Sequence, residues 1–219
     1  MTTPPSVLSR TARRAAGVIA TIGWLALVMQ LVVTLGMMTA DGHSVPAALW
    51  RYLGYFTILT NLLVALTMTR VARERWPGGP APQVSVITGV VLAIAIVGVV
   101  YEVLLSGRVP AMGPLWWTAD RLLHYVVPAL SVVWWLVAVP KHTLGAGDPV
   151  RWLAYPAAYL VYALARGAVD QWYPYFFIDV GAIGYRQALT NASLLSVGML
   201  AVGYVVVGLV ALAHTSRRS

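Results

Sequence analysis

Six stretches of this chain are apolar over about the length that crosses a lipid bilayer, and no other feature constrains its fold as strongly. Backbone inside hydrocarbon has no water to bond, so a spanning segment closes its own hydrogen bonds as a helix. About 20 apolar residues are enough. The runs at about 16–38, 50–69, 83–105, 116–139, 151–169 and 187–213 predict an all-α polytopic membrane protein. The expected domain is one six-helix bundle over 16–213, with a cytoplasmic N-terminal tail at 1–15 and a cytoplasmic C-terminal tail at 214–219. Charged residues make up 10% of the chain, against about 25% in soluble domains. The first run has the basic flank of a signal peptide, but it exceeds the ~7–15 residues of such a core. It reads as a retained first span.

Charge then orients the bundle. A net charge of +8 would suggest nucleic acid in a soluble chain. Here the basic residues flank the apolar runs, which is an orientation signal, and no nucleic-acid partner is expected. With the N-terminus inside, ten basic residues are cytoplasmic: Arg10, Arg13, Arg14, Arg70, Arg73, Arg75, Lys141, Arg151, Arg217 and Arg218. Five lie outside: Arg51, Arg108, Arg121, Arg166 and Arg186. The bias predicts both termini in the cytoplasm of a cell membrane. Abundant Ala, Val and Leu, with Arg favoured over Lys, suggest a bacterial source. Trp50, Trp116, Trp117 and Trp172 would form an outer aromatic belt, and Trp76, Trp134, Trp135 and Trp152 an inner one.

Depth from the outer belt brings the polar residues together. Thr57 follows Trp50 by seven residues and His124 follows Trp117 by seven, about 10 Å each at ~1.5 Å per helical residue. Glu102 and Arg166 lie about 9 Å in on the same rise, and Asn191 is also outward. One shared polar pocket in the outer half of the bilayer is the expectation. Thr57, Thr60 and Asn61 share a helix face, as do Asp120 and His124. Tyr155, Tyr159, Tyr162 and Arg166 continue a stripe that would face the bundle, because a lipid-facing guanidinium is costly.

A hydroxyl beside an imidazole is the minimum for nucleophilic catalysis, since the base removes the proton that keeps threonine unreactive. Thr57 would be the nucleophile, with Thr60 in reserve, and His124 the base. Asp120 would orient the ring, and Asn61 or Arg166 would stabilise an oxyanion. The competing readings are structural. Threonine in a span commonly bonds its own helix or glues helices together, and Glu102 with Arg166 forms an equally good packing ion pair. Gly184, Gly198, Gly203 and Gly208 read as packing notches. The chain has no cysteine, and its four histidines are scattered, so neither a metal site nor a cofactor is expected. G-x-S-x-G, H-E-x-x-H and P-loop motifs are missing.

Tyr55-Phe56-Thr57-Ile58-Leu59-Thr60-Asn61 resembles the "YFT-x-x-(S/T)-N" segment of bacterial predicted six-transmembrane proteins. Leu122-Leu123-His124 with Pro128 resembles their "LLH-x-x-x-P" segment. Tyr155-Pro156, Tyr159, Arg166-Gly167 and Trp172-Tyr173-Pro174-Tyr175 resemble their third block. That family is distantly similar to the androgen-induced-gene and androgen-dependent TFPI-regulating membrane proteins, threonine hydrolases of fatty acid esters of hydroxy fatty acids. The resemblance implies Thr57 and His124 as the catalytic pair. His124 stands four residues before its proline where the eukaryotic proteins have about five, and Thr60 occupies the place of their acidic residue. The implied function is hydrolysis of a lipid-like ester entering from the bilayer, with membrane lipids as surroundings. The alternative is a non-enzymatic binder of lipid or small molecules, or a small transporter. No repeat or broken helix is visible in the sequence to support alternating access.

Overall fold

The computed structural model describes residues 8–73, 84–108, 112–139, 141 and 144–215. All regular structure there is helical. Helix α1, Arg10–Ala40, starts inside the expected tail, with the Ser9 side chain capping it by accepting from the Ala12 N–H at 3.1 Å. Asp41 and Gly42 turn the chain into α2, Val45–Leu53, and then α3, Phe56–Arg73. Next comes α4, Val84–Val100, widened into a π turn at Tyr101–Leu105. Helix α5, Pro114–Arg121, passes through a second π turn, Leu122–Val126, into α6, Val127–Ala138. The chain continues as α7 (Asp148–Trp152), α8 (Ala154–Asp170), a 3-10 turn (Phe176–Ile178) and α9, Val180–Thr215.

Among the described residues four helices are long and apolar enough to cross a membrane: Arg10–Ala40, Val84–Leu105, Pro114–Ala138 and Val180–Leu212. A fifth crossing results if α2 and α3, bent by 78° at their junction, are counted as one broken span. The expected straight second span is therefore an elbow at Gly54 and Tyr55. The expected fifth span maps onto α8, which has only 17 residues and carries Arg166 and three tyrosines. Helix α9 is also interrupted, at Gly184, where φ is +74°.

The chain forms two compact units, Met1–Pro140 and Lys141–Ser219. In the first, α1 packs along α3. Trp24 donates to the Thr69 hydroxyl at 3.1 Å, and Tyr52 on α2 donates to the Leu27 carbonyl at 2.9 Å. Ala26, Leu27, Ile58, Ala65 and Leu123 close a dry core beside these bonds. Two expected belt tryptophans instead work as internal clamps, because an indole carries one N–H that is best used where a buried acceptor waits. Trp134 donates to the Ala12 carbonyl at 2.8 Å and Trp135 to the Thr88 hydroxyl at 2.9 Å. Trp116 and Trp152 are buried too, whereas Trp50 and Trp117 are exposed as a belt requires. Trp76, Arg75, Arg217 and Arg218 lie outside the described residues.

In the second unit, α8 presents Tyr159, Ala163, Arg166 and Gly167 as its buried face. The Tyr173 ring lies against Gly167, in space that any β-carbon would occupy. Of the four glycines expected as notches only Gly203 receives a neighbour, Pro149, whose Cβ would stand 3.0 Å from an added methyl. Gly184 makes the break in α9, and Gly198 and Gly208 meet nothing within 4 Å.

Candidate functional site

The site of the first unit begins with a conflict at Pro128. Proline brings no N–H and its ring crowds the carbonyl four residues back. The preceding turn answers by widening: the Val127 N–H reaches back five residues to Leu122. With that donor used and Pro128 supplying none, the Leu123 carbonyl turns to the Asn61 side-chain amide, 3.2 Å away. The same amide donates to the Thr57 carbonyl at 2.9 Å. One buried asparagine thus fastens the first turns of α3 to the π turn that carries His124.

Helix α4 closes the other side. A methyl group at Gly98 would stand 3.0 Å from the His124 carbonyl and 3.4 Å from the Pro128 Cβ. Only glycine lets the α4 backbone approach the widened turn this closely. A few residues on, α4 makes its own π turn, and the Tyr101 ring stacks on the His124 imidazole at 3.7 Å and 13°. π turns are rare and recur at functional sites. Here two of them put an aromatic ring against the histidine.

The histidine's bonds fix its chemistry. Nδ1 lies 3.0 Å from the Asp120 carboxylate and 3.1 Å from the Asp120 carbonyl. Both neighbours accept, so Nδ1 carries a proton, and in the neutral ring Nε2 is the nitrogen left with a lone pair. Nε2 lies 3.3 Å from the Thr57 hydroxyl. The second carboxylate oxygen of Asp120 accepts from the Tyr101 hydroxyl at 2.8 Å. Hydroxyl, imidazole and carboxylate stand in the order of a hydrolase triad, in which the acid holds the base in the productive tautomer. Thr57 and Asp120 are buried, at 8% and 6% exposure.

The other candidates have different partners. Thr60 is fully buried and donates to the Phe56 carbonyl at 2.7 Å. Asn61 cannot act as the expected oxyanion donor, because its N–H group serves two carbonyls. Its buried Oδ1, which has no hydrogen-bond partner among the described residues, is an acceptor. Glu102 is exposed rather than buried and accepts from the Tyr125 hydroxyl at 2.6 Å. Arg121 lies over the rings of Tyr125 and Trp117, 4.9 and 5.5 Å from their centroids.

Arg166 and Asn191 belong to the second unit. Arg166 is buried there, donates to the Tyr162 hydroxyl at 2.9 Å and lies over the same ring at 5.2 Å. Asn191 accepts from Gln187 at 2.9 Å and donates to the Phe177 carbonyl at 2.9 Å, pinning the aromatic loop.

Tyr101 is the residue that the sequence reading overlooked. Its position beside Glu102, in an apolar run that meets the histidine helix, was the only signal available. The path from Trp117 to His124 runs along one continuous helical segment, whereas the path from Trp50 to Thr57 turns through the α2–α3 elbow and is not a straight rise. Comparisons with protein-family models, with curated proteins and with solved structures each find no match for the chain.

Proposed function

We propose that the chain is an intramembrane threonine hydrolase acting on a lipid-like ester, of the type formed between a fatty acid and a hydroxy fatty acid. One observation carries this reading: Nε2 of His124 faces the Thr57 hydroxyl at 3.3 Å while Asp120 occupies Nδ1. In the reaction the Thr57 oxygen attacks the ester carbonyl as His124 takes its proton. The imidazolium returns that proton to the leaving alcohol, and water attacking the acyl-threonine regenerates the hydroxyl. A contact of 3.3 Å in the free enzyme shortens as substrate binds.

The developing oxyanion needs a donor other than Asn61. Thr57 is the second residue of α3, so the positive end of that helix lies at the reacting oxygen. The elbow at Gly54 and Tyr55 makes this so. The resemblance in the Tyr55–Asn61 and Leu122–Pro128 segments supports the same pair. We further assign six crossings with both termini cytoplasmic. Helix α8, at 17 residues, is at the short end of the spanning range, and the basic residues divide ten to five. The membrane would be the plasma membrane of a bacterium.

The test is activity-based labelling of detergent-purified protein with a fluorophosphonate, whose fluoride leaves as the nucleophile oxygen bonds phosphorus. An adduct mapped to Thr57, and lost in His124→Ala, is the expected result. An adduct on another residue, or none on folded protein, would overturn the assignment. A second reading draws on the broken α2–α3 pair and the interrupted α9: discontinuous helices are a feature of transporters. In that reading His124 and Asp120 carry a proton. Ligand-dependent thermal stabilisation without turnover of any ester would favour it.

A further inference from the structure

At the other end of α6 from His124, an open groove of about 730 Å³ runs between α1 and α6. Its apolar length is lined by Ala15, Val18, Ile19, Leu130, Val133 and Val137. Its floor is rigid, because Trp134 bonds the Ala12 carbonyl across it. All the hydroxyls that line it, those of Ser9 and Thr11, lie at the α1 end.

That end is cationic. Arg14 stands one turn before Val18 and beside the turn of Thr11, at the rim of the groove, and Arg10 stands a further turn toward the start of α1, rotated away from the lining. Both arginines are exposed. The α3 terminus brings Arg70 and Arg73, also exposed, to the same end, where Gly17 of α1 faces Ala72 at 3.5 Å.

We propose that this groove is a binding site for an anionic phospholipid. An acyl chain lies between α1 and α6, and the phosphate head rests on Arg14 and the Thr11 hydroxyl, with Arg10 adding to the positive charge of that end. The groove has the polarity of an amphiphile, with hydroxyls and positive charge at one end and hydrocarbon along the rest. Basic pockets between membrane helices recognise anionic head groups in this way. Nothing in the assignment depends on the Thr57 chemistry.

The experiment is native mass spectrometry and thermal unfolding of delipidated full-length protein after adding phosphatidylglycerol, phosphatidylcholine or inorganic phosphate. Phosphatidylglycerol alone should be retained and raise the unfolding temperature. Arg10→Gln with Arg14→Gln should weaken its retention roughly thirtyfold, the loss of two surface charges facing an anionic lipid. Ala15→Phe, which fills the groove from an exposed position, should abolish retention without touching the arginines. Equal retention of phosphatidylcholine would overturn the proposal. So would protection by phosphate alone, or undiminished phosphatidylglycerol binding in Ala15→Phe.

Discussion

Helix α8 and the α5–α6 segment each carry an ionisable residue into apolar surroundings, and they satisfy it differently. Arg166 stays on a regular helix and is held by Tyr162, one turn away on the same helix, through both its hydroxyl and its ring. His124 sits on a widened turn and is held from three elements: Asp120 on α5, Thr57 on α3 and the Tyr101 ring after α4. A buried charge packed on the hydroxyl and ring of a neighbouring tyrosine can be a packing device. An imidazole with a carboxylate on one nitrogen and a hydroxyl on the other has the arrangement of a base.

The largest expected effects test that contrast directly. Thr57→Ala or His124→Ala should lower ester turnover by roughly 10⁵-fold or more, as loss of a nucleophile or base does in a triad, while circular dichroism shows intact helices. Asp120→Asn keeps the shape but holds the wrong tautomer, and should cost roughly 10⁴-fold in labelling rate. Arg166→Gln should lower the unfolding temperature and leave labelling of Thr57 unchanged. If labelling fell to the Thr57→Ala level in folded protein, the contrast between the two helices would collapse.

Smaller changes sharpen the comparison. Gly98→Ala pushes α4 against the His124 carbonyl and should destabilise the protein by about 1–3 kcal/mol, the usual cost of overpacking. It should also slow labelling, whereas Gly167→Ala, blocked by the Tyr173 ring, should affect stability alone. Tyr101→Phe retains the stack and removes the hydrogen bond to Asp120. A roughly fivefold slower labelling rate is expected, about 1 kcal/mol for one neutral donor.

The helical class was legible from apolar run lengths, because hydrocarbon permits few other solutions. His124 stood out for the same reason. Asp120 was legible from its four-residue spacing, and Thr57 from the face it shares with Asn61. The elbow was not, since Gly54 and Tyr55 interrupt neither the apolar run nor its helical spacing conspicuously. Nor was the division at Pro140, because contact between helices leaves no trace in composition. The role of Asn61 was missed because it depends on a carbonyl that Pro128 and the widened turn set free, more than sixty residues along the chain.

The close approach at Gly98 has a consequence for mutational tolerance. Position 98 takes part in no chemistry, yet the backbone of His124 leans on it. In a saturation library read out by labelling, the exposed Val99 and Val103 should accept most apolar residues. Position 98 should return glycine nearly alone. The accuracy of the base is then set by an absence: the side chain that α4 does not have.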